Sequence, residues 1–171
     1  MIVALMKEHV KFLIACRMSL SFVRSNLEPI YDRFRSLESY DETRELYCRT
    51  IRTEWGYRQH RPYKKDVFAE SRRVYLHYYY DIDRAAEEEK AFDRRLAELK
   101  GELESGRRVH EHDAWYRRYF DVSSTPKRGV KVTVKEDAVA LKKRYLGFLV
   151  LLSSEKMDAT MALDCQVHFS V

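Results

Sequence analysis

Residues Tyr145–Ser153 read YLGFLVLLS, apolar throughout until the closing serine. The run is far short of the roughly 20 residues that a membrane-crossing helix needs. It is bounded by Lys142-Lys143-Arg144 before it and Ser153-Ser154 at its end. A short apolar run between polar boundaries predicts a strand buried on both faces. Each large side chain buried there contributes about 1.5–3 kcal/mol. No other stretch is as continuously apolar, so this one is expected at the centre of the core.

Working outward, Val130, Val132 and Val134 alternate with Lys131 and Thr133, which predicts another strand. Thr133-x-x-Glu136 matches a capping box and predicts a helix running to about Lys143. After the apolar run, Asp158 is expected to cap a last helix. Asp81–Ser105 gives the clearest helical pattern, with Ala85, Phe92, Leu96, Leu99 and Leu103 on one seam. Arg84–Glu88, Arg94–Glu98 and Lys100–Glu104 are expected i,i+4 pairs, and Gly106 a C-terminal cap. Val109–Phe120 is expected to return as a shorter helix, making an αα-hairpin with the first. Val74–Tyr80 (VYLHYYY) and Leu46–Tyr57 read as strands. In the latter, Tyr47, Ile51, Trp55 and Tyr57 share one face with Arg49 and Thr53, and Thr50, Arg52 and Glu54 face the other way. Gly56–Asp66 (GYRQHRPYKKD) is expected to be a basic loop. Earlier still, Ser36–Arg44 is turn-like, Ser19–Phe34 is helical with a break at Pro29, Val10–Cys16 is a strand, and Met1–Val10 ends a helix. The fold class expected is α+β.

The chain of 171 residues, 45% hydrophobic and 35% charged, has the size of one domain or slightly more and can bury a core beneath a charged surface. Three prolines and five glycines argue against a linker-rich protein. Cysteines 16, 48 and 165 are odd in number and lack CxxC spacing, which points to reduced thiols in a cytoplasm. The opening MIVALMKEHVKFLIACRM has the apolarity of a secretory signal. Lys7, Glu8, His9 and Lys11 interrupt it, and no small-residue cleavage site follows, so it is expected to fold with the rest.

The net charge of +5 makes a polyanion a plausible partner. It is unevenly spread: Arg49–Arg73 holds eight basic and three acidic residues, Arg117–Arg144 nine and three, Asp81–Glu104 five and nine. The candidate DNA-binding residues are Arg58, Arg61, Lys64 and Lys65, beside His60, Trp55, Tyr57 and Tyr63, with Lys127, Arg128, Lys131 and Lys135 as a second group. Cations neutralise phosphates and aromatic rings stack on unpaired bases; a solvated loop and an exposed strand face are the alternatives. His110-Glu111-His112-Asp113 has metal-binding residue types, but on a helix its two histidines point apart, and no third ligand is evident. The carboxylates of Glu87-Glu88-Glu89 read as a solvated helix face. No Gly-rich phosphate loop, Ser/His/Asp motif or zinc spacing is present. The apolar seam of Asp81–Ser105 could serve dimerisation or packing within the hairpin.

Tyr119–Leu163, YFDVSSTPKRGVKVTVKEDAVALKKRYLGFLVLLSSEKMDATMAL, resembles a segment of bacterial insertion-sequence transposases of the DDE class. The likeness is to the IS-four-like branch, which has a β-rich insertion before its last catalytic acid. The matching features are the strand, the helix at Lys135–Ala140, Tyr145–Ser153 and the start DATMAL at Asp158–Leu163. Lys11–Ser19 (KFLIACRMS) is similar to the strand after the family's second aspartate, and RRVYLHYYYD before a long charged helix fits the insertion. The resemblance implies an RNase H-like core in which Asp, Asp and Glu hold two Mg²⁺ ions for phosphodiester cleavage and strand transfer. It implies that residues 1–18 are an edge of that core and 19–157 the β-rich insertion, with a helical arm at 81–120. Residues 158–171 would begin the core's final helix. The partners implied are transposon-end DNA, a second copy or a full-length transposase, with no membrane. None of the three acids matches a residue here. The expected Tyr-x2-Arg-x3-Glu-x6-Lys signature is replaced by DCQVHFSV, which reads as out-of-frame or junction sequence. The expected function is therefore that of a catalytically inactive transposase fragment, with no catalytic residue, metal site or cofactor of its own. The alternatives are an interaction or inhibitor protein acting through the helical arm, a small metal nuclease built on His110–Asp113, and a decayed gene product.

Overall fold

The computed structural model describes residues 2–60, 67–125 and 129–168. Its strands are β1 (Leu13–Cys16), β2 (Tyr40–Asp41), β3 (Leu46–His60), β4 (Val67–Tyr80), β5 (Phe120–Thr125), β6 (Gly129–Val134) and β7 (Phe148–Ser153). Its helices are α1 (Ile2–Lys7), α2 (Ser21–Leu27), α3 (Tyr31–Phe34), α4 (Ile82–Glu104), α5 (Asp113–Tyr119), α6 (Glu136–Lys143) and α7 (Ala159–His168). The fold is mixed α+β. The chain divides into two compact units, Met1–Asp81 with Phe148–Val171, and Ile82–Gly147. No described helix is long and apolar enough to cross a membrane.

The first unit is an antiparallel sheet in the order β1-β7-β4-β3-β2. The apolar run forms β7, hydrogen-bonded to β1 on one edge and β4 on the other, with both faces covered as its composition requires. Phe148, Val150 and Leu152 share a face with their cross-strand partners Tyr80, Tyr78 and Leu76. That face lies under α2 and α3: Phe34 sits 5.3 Å from the Phe148 ring, and Tyr78 Oη donates to the Val23 carbonyl at 2.7 Å. On the opposite face Tyr79 and Leu151 pack with Ala159 and Ala162 of α7, and Tyr79 Oη donates to the Ala159 carbonyl at 2.5 Å. Asp158 caps α7 as expected, accepting from the Met161 amide at 2.7 Å. Pro29 falls in a 3-10 turn, Glu28–Ile30, that separates α2 from α3.

Several expectations need correcting at their edges. Tyr145–Gly147 is a turn, not strand, because the chain enters β7 through Gly147 at φ 78°, a left-handed conformation suited to glycine. β1 begins at Leu13 rather than Val10. Ser36–Arg44 is not all turn, since Tyr40–Asp41 adds the edge strand β2.

In the second unit, the α4 seam is buried as its spacing predicts. Phe92, Leu96, Leu99 and Leu103 cluster with Tyr116, Tyr119 and Phe120. α4 ends in a Schellman motif: Gly106 at φ 70° bonds back to Leu103, and the Arg107 amide to Glu102 at 2.9 Å. The helix returns as a 3-10 turn, His110–His112, followed by α5. Phe120 opens β5, a strand that the sequence pattern does not predict, which pairs with β6 from Phe120↔Val134 to Thr125↔Gly129. The capping box does not form. Thr133 is committed to the ladder opposite Asp121, and α6 starts at Glu136 after an uncapped Lys135. Glu98 pairs with Arg95 at 3.1 Å rather than with Arg94, whereas Arg84–Glu88 and Lys100–Glu104 form as expected.

Tyr80, the last residue of β4, and Phe148, the first of β7, are direct cross-strand partners. In chain topology the second unit therefore takes the place of a hairpin turn. Replacing residues 82–147 by a short glycine-containing turn should leave the sheet unit folded, read as retained near-ultraviolet dichroism and one cooperative urea transition. Leu152→Ala, at a site with 0% exposure, should cost about 2–5 kcal/mol in urea unfolding. Leu37→Ala, at 86% exposure, should stay within about 0.5 kcal/mol.

Candidate nucleic-acid interface

β7 reaches only as far as Ser153, opposite Tyr75, whereas β3 and β4 stay paired out to His60↔Val67. Residues 53–60 and 67–74 consequently run on as a two-stranded ribbon. Gly56–His60, expected in a loop, belongs to this strand. The alternation that covers Ile51, Thr53 and Trp55 continues through buried Tyr57, and cross-strand pairing continues with it. One face, starting at exposed Arg52 opposite Tyr75 where β7 ends, runs onto the ribbon through exposed Glu54 and Arg58 beside Ala69, Ser71 and Arg73. Glu54 accepts from Ser71 Oγ at 3.0 Å. The other face is partly covered: the Trp55 and Phe22 rings lie 4.5 Å apart, and Arg72 meets His9 at 3.1–3.2 Å and Glu70 at 3.7 Å.

Of the sequence candidates on this arm, Arg58 lies on the open face; Arg61, Lys64 and Lys65 lie outside the described residues. Arg52 and Arg73 join Arg58 on that face. Neither stands out as a site residue in the sequence, although strand parity would have found Arg52. The second basic group is in the other unit. Lys131 is exposed on β6, and Lys127 and Arg128 lie outside the described residues. Lys135 is engaged internally: its Nζ lies 3.1 Å from Asp121 and donates to the Arg117 carbonyl at 3.0 Å, holding the β6–α6 junction.

A Ser–His pair lies inside the sheet, unforeseen because its members are far apart in sequence. His77 is fully buried on β4; its Nδ1 is 2.9 Å from Thr50 Oγ1 and its Nε2 2.9 Å from Ser153 Oγ. Ser153 donates its own proton to the Glu155 carbonyl at 2.7 Å, so it accepts from Nε2–H, and Thr50 donates to Nδ1. The serine proton is thus directed away from the imidazole, and the hydroxyl is buried. This is a structural relay across three strands, not a nucleophile with its base. Burial pushes the His77 pKa down to about 4, with Asp158 opposing the shift.

The His110–Asp113 group does not converge on an ion. His110 Nδ1 lies 3.1 Å from Asp113, while His112 turns to Glu102 at 2.8 Å. Tyr116 Oη donates to the same Glu102 carboxylate, and with His112 it holds that carboxyl below its usual range. Among the described residues no three His, Cys, Asp or Glu side chains gather as a metal site. The α4 seam is covered within its own unit, so it presents no free face for coiled-coil pairing. All three cysteines are free, and burial raises the thiol pKa of Cys16 and Cys48. No family model, curated protein or solved structure matches the chain.

Because folding lowers the His77 pKa from 6.5, the unfolded chain takes up a proton between about pH 6.5 and 4 that the folded chain refuses. The relay's contribution is therefore complete above about pH 6.5 and falls by up to about 3 kcal/mol as pH drops to 4. His77→Gln can keep one donor and one acceptor but cannot titrate. Between pH 7 and 4.5 the native chain should lose about 2 kcal/mol more stability than this variant, measured by urea unfolding at each pH.

Proposed function

We propose that this chain is a DNA-binding piece of a DDE-class transposase and is itself catalytically inactive. The observation that carries the reading is the two-stranded β3–β4 ribbon with Arg52, Arg58 and Arg73 on its open face. Ribbons of this kind fit the major groove of B-DNA, and arginines there neutralise phosphates with release of counterions. The surrounding sequence supports it, since residues 52–73 hold seven basic and three acidic side chains. The order of motifs resembling the insertion-sequence family supports the same reading.

On this reading β1 and α7 are edges of an RNase H-like core, and the strands and helices between them form the insertion that grips transposon ends. The parent reaction is cleavage and rejoining of DNA with two Mg²⁺ ions held by three carboxylates. The described residues do not fit that metal pair, because no such trio converges among them. No catalytic step is assigned to them. The rival reading, an interaction protein working through α4, finds its apolar seam already spent on Tyr116, Tyr119 and Phe120.

The test is fluorescence anisotropy of labelled duplex DNA across salt. Affinity should fall steeply between about 50 and 200 mM salt. The triple variant Arg52→Ala, Arg58→Ala, Arg73→Ala should bind about tenfold more weakly at low salt. Its salt slope should be flatter by about 0.9 for each phosphate that the variant no longer neutralises. Absence of duplex binding by the native chain at low salt would refute the reading.

A further inference from the structure

One rung of the sheet is aromatic across four neighbouring strands. Tyr40, Tyr47, Tyr80 and Phe148 are successive cross-strand partners on β2, β3, β4 and β7. Their ring centroids are 5.2, 6.3 and 4.9 Å apart, each pair tilted by 51–56°. The rung rises from core to solvent. Phe148 is buried against Phe34, Tyr80 and Tyr47 are half-buried, and Tyr40 on the edge strand is 39% exposed. The exposed Arg35 guanidinium lies 5.3 Å over the Tyr80 ring, with Nη1 3.5 Å from its hydroxyl. Of the two acids next to the rung in sequence, Asp81 follows Tyr80 and is half-buried, and Asp41 is turned away into its own turn: it accepts from the Thr43 and Arg44 amides and pairs with the Arg44 side chain at 2.9 Å.

We propose that Tyr40 and Tyr47, with the Arg35 guanidinium held over Tyr80, form a stacking platform for an unpaired nucleic-acid strand. Two features favour this ligand. Rings held in register on a sheet give stacking surface for unpaired bases, and stacking on aromatics is tolerant of sequence. At Tyr80 the planar surface offered is the Arg35 guanidinium that lies over the ring, on which a base can stack while its charge meets the strand's phosphates. The platform is a different surface from the ribbon's Arg52, Arg58 and Arg73, and it does not depend on the duplex reading.

The experiment is anisotropy of labelled oligothymidylate and oligouridylate at low salt, against native protein and paired variants. Tyr40→Leu with Tyr80→Leu keeps apolar bulk but removes the rings; Tyr40→Phe with Tyr80→Phe keeps the rings. The leucine pair should weaken single-strand binding about tenfold or more, the phenylalanine pair less than about twofold, and duplex affinity should stay unchanged in both. If the leucine pair loses the cooperative unfolding transition, Tyr40→Leu alone and Arg35→Gln, both at exposed positions, take its place with a loss of about threefold or more expected. Preference for the thymidylate or the uridylate strand identifies DNA or RNA as the ligand. No single-strand binding by the native protein, or equal binding by the leucine variants, would overturn the proposal. The ribbon triple variant reports on duplex binding separately, so the two readings fail independently.

Discussion

The pairing of β7 on both edges, with both faces covered, is the constraint from which the rest of the sheet unit follows. A buried backbone must satisfy every N–H and C=O, and a strand covered on both faces meets that demand with a hydrogen-bonded neighbour on each edge. β7 therefore lies between β1 and β4, beneath α2 and α3 on one side and α7 on the other. Because Phe148 must meet Tyr80, everything between them has to leave and re-enter the sheet at one place. Residues 82–147 meet that demand with a core of their own. Because β7 stops at Ser153, β3 and β4 run on past it as the ribbon.

Much of this is legible along the chain, for identifiable reasons. The apolar density of Phe148–Ser153, the seam of α4 and the alternation of Leu46–Tyr57 are local signals strong enough to survive tertiary packing. The errors occur where long-range pairing overrides a local preference. Thr133 has the residue types for a capping box three positions on, yet it is held in a ladder with Asp121 because Val134 must face Phe120. Gly56 looks like the start of a loop, but the partner strand extends past it. Tyr145 and Leu146 continue the apolar run by composition, but the left-handed Gly147 turns the chain just before the strand. The relay of Thr50, His77 and Ser153 and the rung from Tyr40 to Phe148 are invisible in the sequence for the opposite reason. Their members come from separate strands, and only the register aligns them.

The same register decides what the charged residues can do. Strand parity sorts Arg52, Arg58 and Arg73 onto the open ribbon face and turns Arg72 toward His9 and Glu70. Lys135, one of the candidate cations, is instead a tie between β6 and its neighbours, while Lys131 stays exposed. Acidic residues on α4 are largely matched within their own unit; Lys143 bonds both Glu89 and Asp93 at 2.8–2.9 Å. The sheet unit thus offers two distinct chemistries on one scaffold, arginines on a ribbon and tyrosines on a rung, both positioned by the strand that holds its centre.

Native-state hydrogen exchange followed by NMR tests that centre most directly. The account predicts that the slowest amides lie in Phe148–Ser153 and the paired stretch Tyr75–Tyr80, exchanging only through global unfolding of the sheet unit. Fast exchange across Val150–Leu152, with the slowest sheet amides instead in the distal ribbon near Gly56 and Ser71, would contradict it.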